Sequence, residues 1–443
     1  MSIESKLGRW DLTMMVISFI IGVGIFFTPS TIAAKAGTPF IFYASWIIGG
    51  FVSVCGALTF AEIGSRLPAA GGYYKIFSKC YHPAFAFMAN LALVTINAGS
   101  AVTVALLGAE YIKPVIIPAN WQDSISVTAI TFTILTVLFL LNYAGIKMGS
   151  RMQNFLSGLK ILMILLLCFA VFGSKNTVNP AVIIHQSATT AIAALGLCLV
   201  SVFFSCGGYQ NTINMGADIK NPQRNIPLAI IGGMFIVVTL YLLINIAYVQ
   251  VIGFENLKGK QLLASELTKS FFGDIGFKVA SVIVFTSVLG FLNASLMSNP
   301  RIFYAMAEDN ILPAIFKKVN PKTQTQAFGL SLFFLIILVT LFFVKDKDTL
   351  INYIIFIDNL SLVFATITIF ILRKKMKGLD YKGYKMKLFP AIPIIFMIVL
   401  LFVCANIFIA NTTEALVGLG IFVGAFPLYL ILRMLVGGKQ KVN

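Results

Sequence analysis

An all-α polytopic membrane protein is the fold class this chain predicts, and three observations predict it. Of its 443 residues, 58% are hydrophobic and only 11% are charged, whereas soluble domains carry about 25% charged residues. Its mean hydropathy is +0.92. Its apolar residues gather in runs of about 20, the length a helix needs to cross a bilayer. Twelve such segments can be drawn, at about 10–36, 39–63, 84–111, 125–143, 153–173, 190–216, 228–250, 276–299, 326–344, 349–371, 388–411 and 414–436. Residues 1–9 are polar and the run after them is full-length without a small-residue cleavage site, so no cleaved leader is expected.

The formal net charge of +17 raises nucleic acid as a partner, and its distribution argues against it. With the N-terminus inside, most Lys and Arg fall in loops on that side, from Lys6 and Arg9 through Lys220 and Arg301 to the basic stretch Arg373–Lys387. That asymmetry sets orientation in a bilayer. It predicts a multi-pass protein of the cytoplasmic membrane with both termini cytoplasmic, bound by lipid and not by nucleic acid. The cysteines (Cys55, Cys80, Cys168, Cys198, Cys206, Cys404) lie in segments or at a cytoplasmic end, so no disulfide is expected.

Segment 1 contains Gly22-Val-Gly24 in the middle of its apolar run. Two glycines bracketing one residue at mid-depth predict that the helix unwinds there. Open backbone at membrane depth is tolerated where it is buried in protein or lines a cavity. The amides that begin the second half-helix then attract an anion. Close packing on a neighbouring helix is the competing explanation of the glycines. Segment 2 ends near Glu62 in a Pro- and Gly-bearing turn, Arg66–Lys75, which reads equally as a connector or a gate. Segment 3 carries Asn97 among small residues, a face suited to close contact or to a cavity wall. The outer loop after it, Lys113–Asp123, holds two prolines.

Lys160 lies inside segment 5, roughly 10 Å deep at about 1.5 Å per residue. A lysine at the centre of a span costs about 2.5–3.5 kcal/mol on insertion scales, so it should face protein and have partners. Snorkelling to the cytoplasmic surface is the alternative. Segment 6 repeats the theme of segment 1 with Cys206-Gly-Gly-Tyr209. Paired interruptions at segments 1 and 6 correspond if two five-segment halves are inverted relative to each other, and such pairs point to a transporter site at the midplane. The organisation expected is therefore 1–173, 174–372, and 373–443 with two further helices. Residues 254–273 are amphipathic and too polar to span, and are expected to form an outer helical lid. Residues 300–313 are expected as a cytoplasmic helix. Segment 10 carries Asp358, roughly 13 Å from its outer end. An intramembrane carboxylate is a functional candidate, here as a proton site, or else a structural group bonded to Asn359, Ser361 or backbone, or one reached by water.

No enzyme signature is present. Only His82 and His185 occur, no Cys/His set has zinc spacing, and neither a nucleophile elbow nor a phosphate-binding loop appears. No metal and no cofactor are expected.

Several motifs together resemble the amino acid–polyamine–organocation (APC) superfamily, and within it the L-amino-acid transporter family with its bacterial serine/threonine and neutral amino-acid exchangers. They are Gly22–Phe26, Leu67–Tyr73, Phe204–Tyr209, Lys220–Pro227 and Asn293–Pro313. The resemblance covers all twelve segments. It implies a LeuT-type fold, with five plus five inverted helices, helices 1 and 6 broken, and two extra. It implies that amides around Gly22, Val23 and Gly24 take a substrate carboxylate, with Ile25 also at the substrate site. Carbonyls near Ile20, Ile21, Phe203, Phe204 and Ser205 would take the ammonium, with Cys206, Gly207 and Asn97 completing the pocket. Phe204 matches an aromatic gate, and Lys160 matches a lysine that stands where sodium-driven relatives hold a cation. Val23, often Ser, and Tyr209, often Trp, depart from the pattern, and Asp358 is no part of it. No cysteine stands where animal relatives link a partner glycoprotein, so no disulfide-linked subunit is expected. The function implied is sodium-independent exchange of neutral L-amino acids. Proton-coupled uptake and a sensor that binds without transporting are the alternatives. The named pocket residues bring no carboxylate on the breaks, which favours neutral over basic substrates.

Overall fold

Backbone groups in hydrocarbon must bond within their own segment, and the chain meets that demand with helices. The computed structural model describes residues 3–173, 188–260, 262–343, 347–378, 380–410 and 412–437. Among these there is no sheet, only isolated bridges pairing Leu7 with Ile219 and Ala70 with Met215. Among the described residues, 11 helical segments are long and apolar enough to cross a membrane. The segment drawn at 326–344 is helix Ala327–Phe343, which at 17 residues is shorter than these.

Segment 1 is two helices, α1 (Arg9–Ile20) and α2 (Gly24–Ala36), separated by three residues that are not helical. Helix α3 (Pro39–Arg66) starts on Thr38, whose hydroxyl accepts from Ile41 N, with Pro39 at the position where its missing N–H costs nothing. After a short turn come α4 (Gly72–Cys80) and α5 (Pro83–Ile116), the latter capped by His82 Nδ1 on Ala84 N. Helix α5 runs past the boundary drawn at 111, so the outer loop begins later than the sequence predicts. Helices α6 (Val127–Ala144) and α7 (Ile146–Gly173) follow.

Helix α8 (Ala188–Cys206) ends at the second glycine pair, and residues 209–214 and 216–218 continue as 3-10 turns. Helix α9 (Pro222–Ile252) is followed by α10 (Phe254–Leu257) and α11 (Leu263–Ser298), which kinks at Gly273. The stretch expected as an outer lid is thus one turn of α10 and the first part of α11. Its apolar face is turned inward, with Leu257, Leu263 and Leu267 fully buried. The cytoplasmic helix expected over 300–313 is α12 (Pro300–Glu308), shorter than drawn. The chain ends in α13 (Ala327–Phe343), α14 (Lys347–Lys375), α15 (Ala391–Ala410) and α16 (Thr412–Gly437).

Burial sorts these helices. Of the most apolar window of Arg9–Ala36, 94% is buried, against 33% and 22% for the windows of the last two segments. The broken segment is therefore central, and α15 and α16 leave much of their surface to lipid. Helix α1 packs on α9 and α7, and α2 on α8. At the end of the bundle bearing the N-terminus, the turn after α3 is tied to the segment after α8. Gly71 N donates to Asn214 O at 2.9 Å and Tyr73 N to Asn214 Oδ1 at 3.2 Å. Gly71 has φ +61, and a Cβ there would lie 2.6 Å from Arg301 O. Buried Arg301 pairs with Asp218 beside it at 3.1 Å. Glu62 receives both Arg66 and Arg373, at 2.7 and 2.6 Å. A buried charge held this way is costly to strip of its partner.

Candidate functional site

The first break begins where Ile21 leaves the helical region, at φ −81 and ψ 82. Its N–H still bonds back to Ile17 O, and Gly22 N to Ile20 O, before α2 starts. The opening amides of a helix lack partners in their own turn. Among the described residues, Val23, Gly24 and Ile25 N–H have no backbone acceptor. Gly22, Val23 and Gly24 line a cavity between the helices. Neither glycine is left-handed. Gly24 is needed for approach, since a Cβ would stand 2.9 Å from Ser205 Oγ and 3.1 Å from Ser205 Cα. The two breaks therefore touch.

Lys160 is fully buried and does not reach the cytoplasmic surface. Its Nζ donates to Ile21 O at 2.7 Å and to Ser18 Oγ at 3.1 Å. A cation from α7 thus bonds a carbonyl that unwinding has freed. Gly290 makes the room, because a Cβ there would lie 2.8 Å from the ammonium nitrogen. Ser18 Oγ is also 2.6 Å from Ser157 Oγ, so α1 and α7 share this polar contact.

At the second break Gly208 is left-handed, with φ +103, and a Cβ would lie 2.5 Å from Phe19 O. Only glycine fits both demands. Gly208 N donates to Gln210 Oε1 at 2.8 Å, which turns Gln210 Nε2 toward Asp358 Oδ2 at 3.2 Å. Tyr241 OH lies 3.1 Å from both Ile20 O and Ser205 O, one carbonyl from each break.

Of the residues singled out from sequence, Ile20, Gly22, Val23 and Gly24 line the cavity. So do Asn97, Phe203, Phe204, Gly207 and Asp358. Ile21, Ile25, Ser205 and Cys206 stand behind the wall. Ile21 O is taken by Lys160, Ser205 Oγ bonds Thr28 Oγ1 at 2.6 Å, and the Ile25 and Cys206 side chains are buried in the core. Asn97 Nδ2 donates to Asn299 Oδ1 at 2.7 Å. Asp358 bonds Gln210 rather than the neighbours considered for it in sequence.

Sequence reasoning passed over Gln210, Asn211, Tyr241 and Phe291, and considered Asn359 only as a partner for Asp358. Gln210, Asn211, Phe291 and Asn359 line the cavity. Gln210 had a usable signal, a polar residue two places after a glycine pair in an apolar run. Tyr241 shared its span with Thr239, Asn245 and Tyr248, and nothing in the sequence set it apart from them.

Residues 7–431 match the family model described as Amino acid permease. The chain belongs to that family, within the APC superfamily. It is 29% identical over 436 residues to the serine/threonine exchanger of Bacillus subtilis, covering 96% of each chain. To the human cystine/glutamate transporter it is 25% identical, over 94% of this chain and 83% of the other. To the human large neutral amino acids transporter small subunit 2 it is 23% identical, over 97% and 81%. This permease is accordingly a multi-pass amino-acid transporter and not an enzyme.

Proposed function

We propose that the permease is a sodium-independent exchanger of L-amino acids, neutral ones among them, working by alternating access. The observation that carries this reading is Lys160 Nζ on Ile21 O. A fixed ammonium bonds the opened main chain, and the break then needs no external cation at that point. A main-chain carboxylate is assigned to the amides of Val23 and Gly24, which open on the cavity and carry the positive end of α2. Phe204, on the same wall and only partly buried, is assigned as the aromatic gate. Ile20 O and Ile21 O already accept from Tyr241 and Lys160. Each carbonyl oxygen has two lone pairs, so the ammonium would share these atoms instead of having them alone.

The arrangement proposed is LeuT-type, with five plus five inverted spans, broken spans 1 and 6, and two more. The interruptions after Ile20 and Cys206, 186 residues apart in chain order and in contact in space, support it. We assign the protein to the cytoplasmic membrane with both termini inside, from the basic-residue asymmetry, and expect it to act without a disulfide-linked subunit.

Reconstituted liposomes test the exchange. Uptake of labelled leucine should require unlabelled amino acid inside and should be equal in sodium and in choline. Uptake into empty liposomes driven by a pH gradient alone would replace exchange with proton symport, and a strict sodium requirement would remove the role given to Lys160.

A further inference from the structure

The two breaks themselves carry no carboxylate for a basic side chain, and the fold brings one in from elsewhere. Asp358 reaches the cavity from α14, which packs mainly on α15, α5 and α16. We propose that Asp358 is a specificity-determining residue that receives a positively charged side chain, so that basic amino acids enter the same site as neutral ones. The inference rests on the substrate-site reading above and extends its range.

Asp358 is the sole charged side chain among the described residues that line this cavity. No described cation pairs with it. Lys160, the cation built into the site, is fully buried and committed to Ser18 and Ile21. What Asp358 does have is one neutral donor, Gln210 Nε2 at 3.2 Å on Oδ2. Because Gln210 Oε1 is engaged by Gly208 N, that amide is oriented, and it holds the carboxylate in place without neutralising it. The next residue, Asn359, is 2% exposed, lines the same cavity, and has an Nδ2 with no hydrogen-bond partner. This wall therefore holds polar capacity that the protein itself does not use.

A carboxylate at membrane depth is stable when paired, and costly when left with a single neutral donor. The amides of the first break and Asp358 come from different elements and open on one cavity, so a ligand can meet both. A zwitterion with an apolar side chain satisfies the amides and leaves Asp358 as it was. An amino acid with a side-chain ammonium or guanidinium satisfies both. Charge-assisted bonds of that kind are about twice as strong as neutral ones.

The test uses the full-length protein in liposomes, with labelled lysine and labelled leucine measured side by side. Wild type should exchange both, and D358N should lower the lysine-to-leucine flux ratio by at least about tenfold. An unchanged ratio overturns the proposal, as does wild-type leucine exchange with no lysine exchange. Should D358N fail to fold, wild type alone decides. Lysine should displace bound leucine at concentrations about tenfold below those of norleucine, which has the same chain without the ammonium. Equal displacement overturns the proposal. Leucine uptake driven by a pH gradient in wild type and abolished in D358N also overturns it, making Asp358 a coupling group instead. Absence of exchange for every amino acid sinks the exchanger reading only. Lysine binding to detergent-solubilised wild type, lost in D358N, is then the remaining measure of this site.

Discussion

At the first break the main chain is held open by a cation from another helix; at the second it is held by an amide two residues further on. Lys160 comes from α7 to bond Ile21 O, and neither nearby glycine needs a left-handed backbone. Gly208 is left-handed, and its N–H is met by its own near neighbour Gln210. The first opening is thus maintained by charge and the second by backbone conformation. Each should fail to a different kind of substitution, which makes the contrast measurable.

The largest effect is expected at the second break. Gly208→Ala places a Cβ 2.5 Å from Phe19 O at φ +103, where both strain and overlap oppose it, together about 3 kcal/mol or more. Flux should fall below detection, read as counterflow in liposomes. Near-normal flux would show that the second break tolerates a different backbone path.

Next comes Lys160→Ala, which removes the charge from the first break. Loss of a charged hydrogen bond costs about 1.5–3 kcal/mol, or roughly 10- to 100-fold in flux. The variant should remain monodisperse by size-exclusion chromatography, since it deletes a buried charge instead of stranding one. Wild-type flux would take Lys160 out of the mechanism. Gly290→Ala is the milder version of the same test. Its Cβ would lie 2.8 Å from Lys160 Cε and Nζ, so the ammonium must shift while its charge stays. A loss smaller than that of Lys160→Ala is expected, and an equal or larger one would make position matter more than charge.

Both breaks were legible in the sequence because glycine pairs inside apolar runs are local signals, and so were the depth of Lys160 and the presence of Asp358. What Lys160 bonds was not readable from composition, because Ile21 O is 139 residues away in chain order. Gln210, Tyr241 and Gly290 act only through contacts that the fold creates. Gly290 looks like any packing glycine until Lys160 is placed against it. Helix ends were the least legible feature. Helix α5 continues through Pro114 to Ile116, and 3-10 turns follow α8 where an apolar run reads as one span. Asp358 carried a visible charge and an invisible partner. Its residue type named a candidate, and only the packing of α14 set that candidate beside Gln210.

The smallest effect concerns the link between the breaks. Tyr241 OH stands 3.1 Å from Ile20 O and 3.1 Å from Ser205 O, so its single proton is shared between the two openings. Its ring is fixed independently, edge-on to Trp46 with centroids 5.8 Å apart, and Tyr241→Phe should leave that packing unchanged. The substitution removes one hydrogen-bond donor, worth about 1 kcal/mol, and a fall of roughly fivefold in flux is expected. If the hydroxyl couples the breaks, combining Tyr241→Phe with Lys160→Ala should cost less than the product of the separate losses, because Lys160→Ala has already loosened the carbonyl next to Ile20. If the losses multiply, charge at one opening and conformation at the other act independently, and the packing of Gly24 on Ser205 and of Gly208 on Phe19 joins them without help from the hydroxyl.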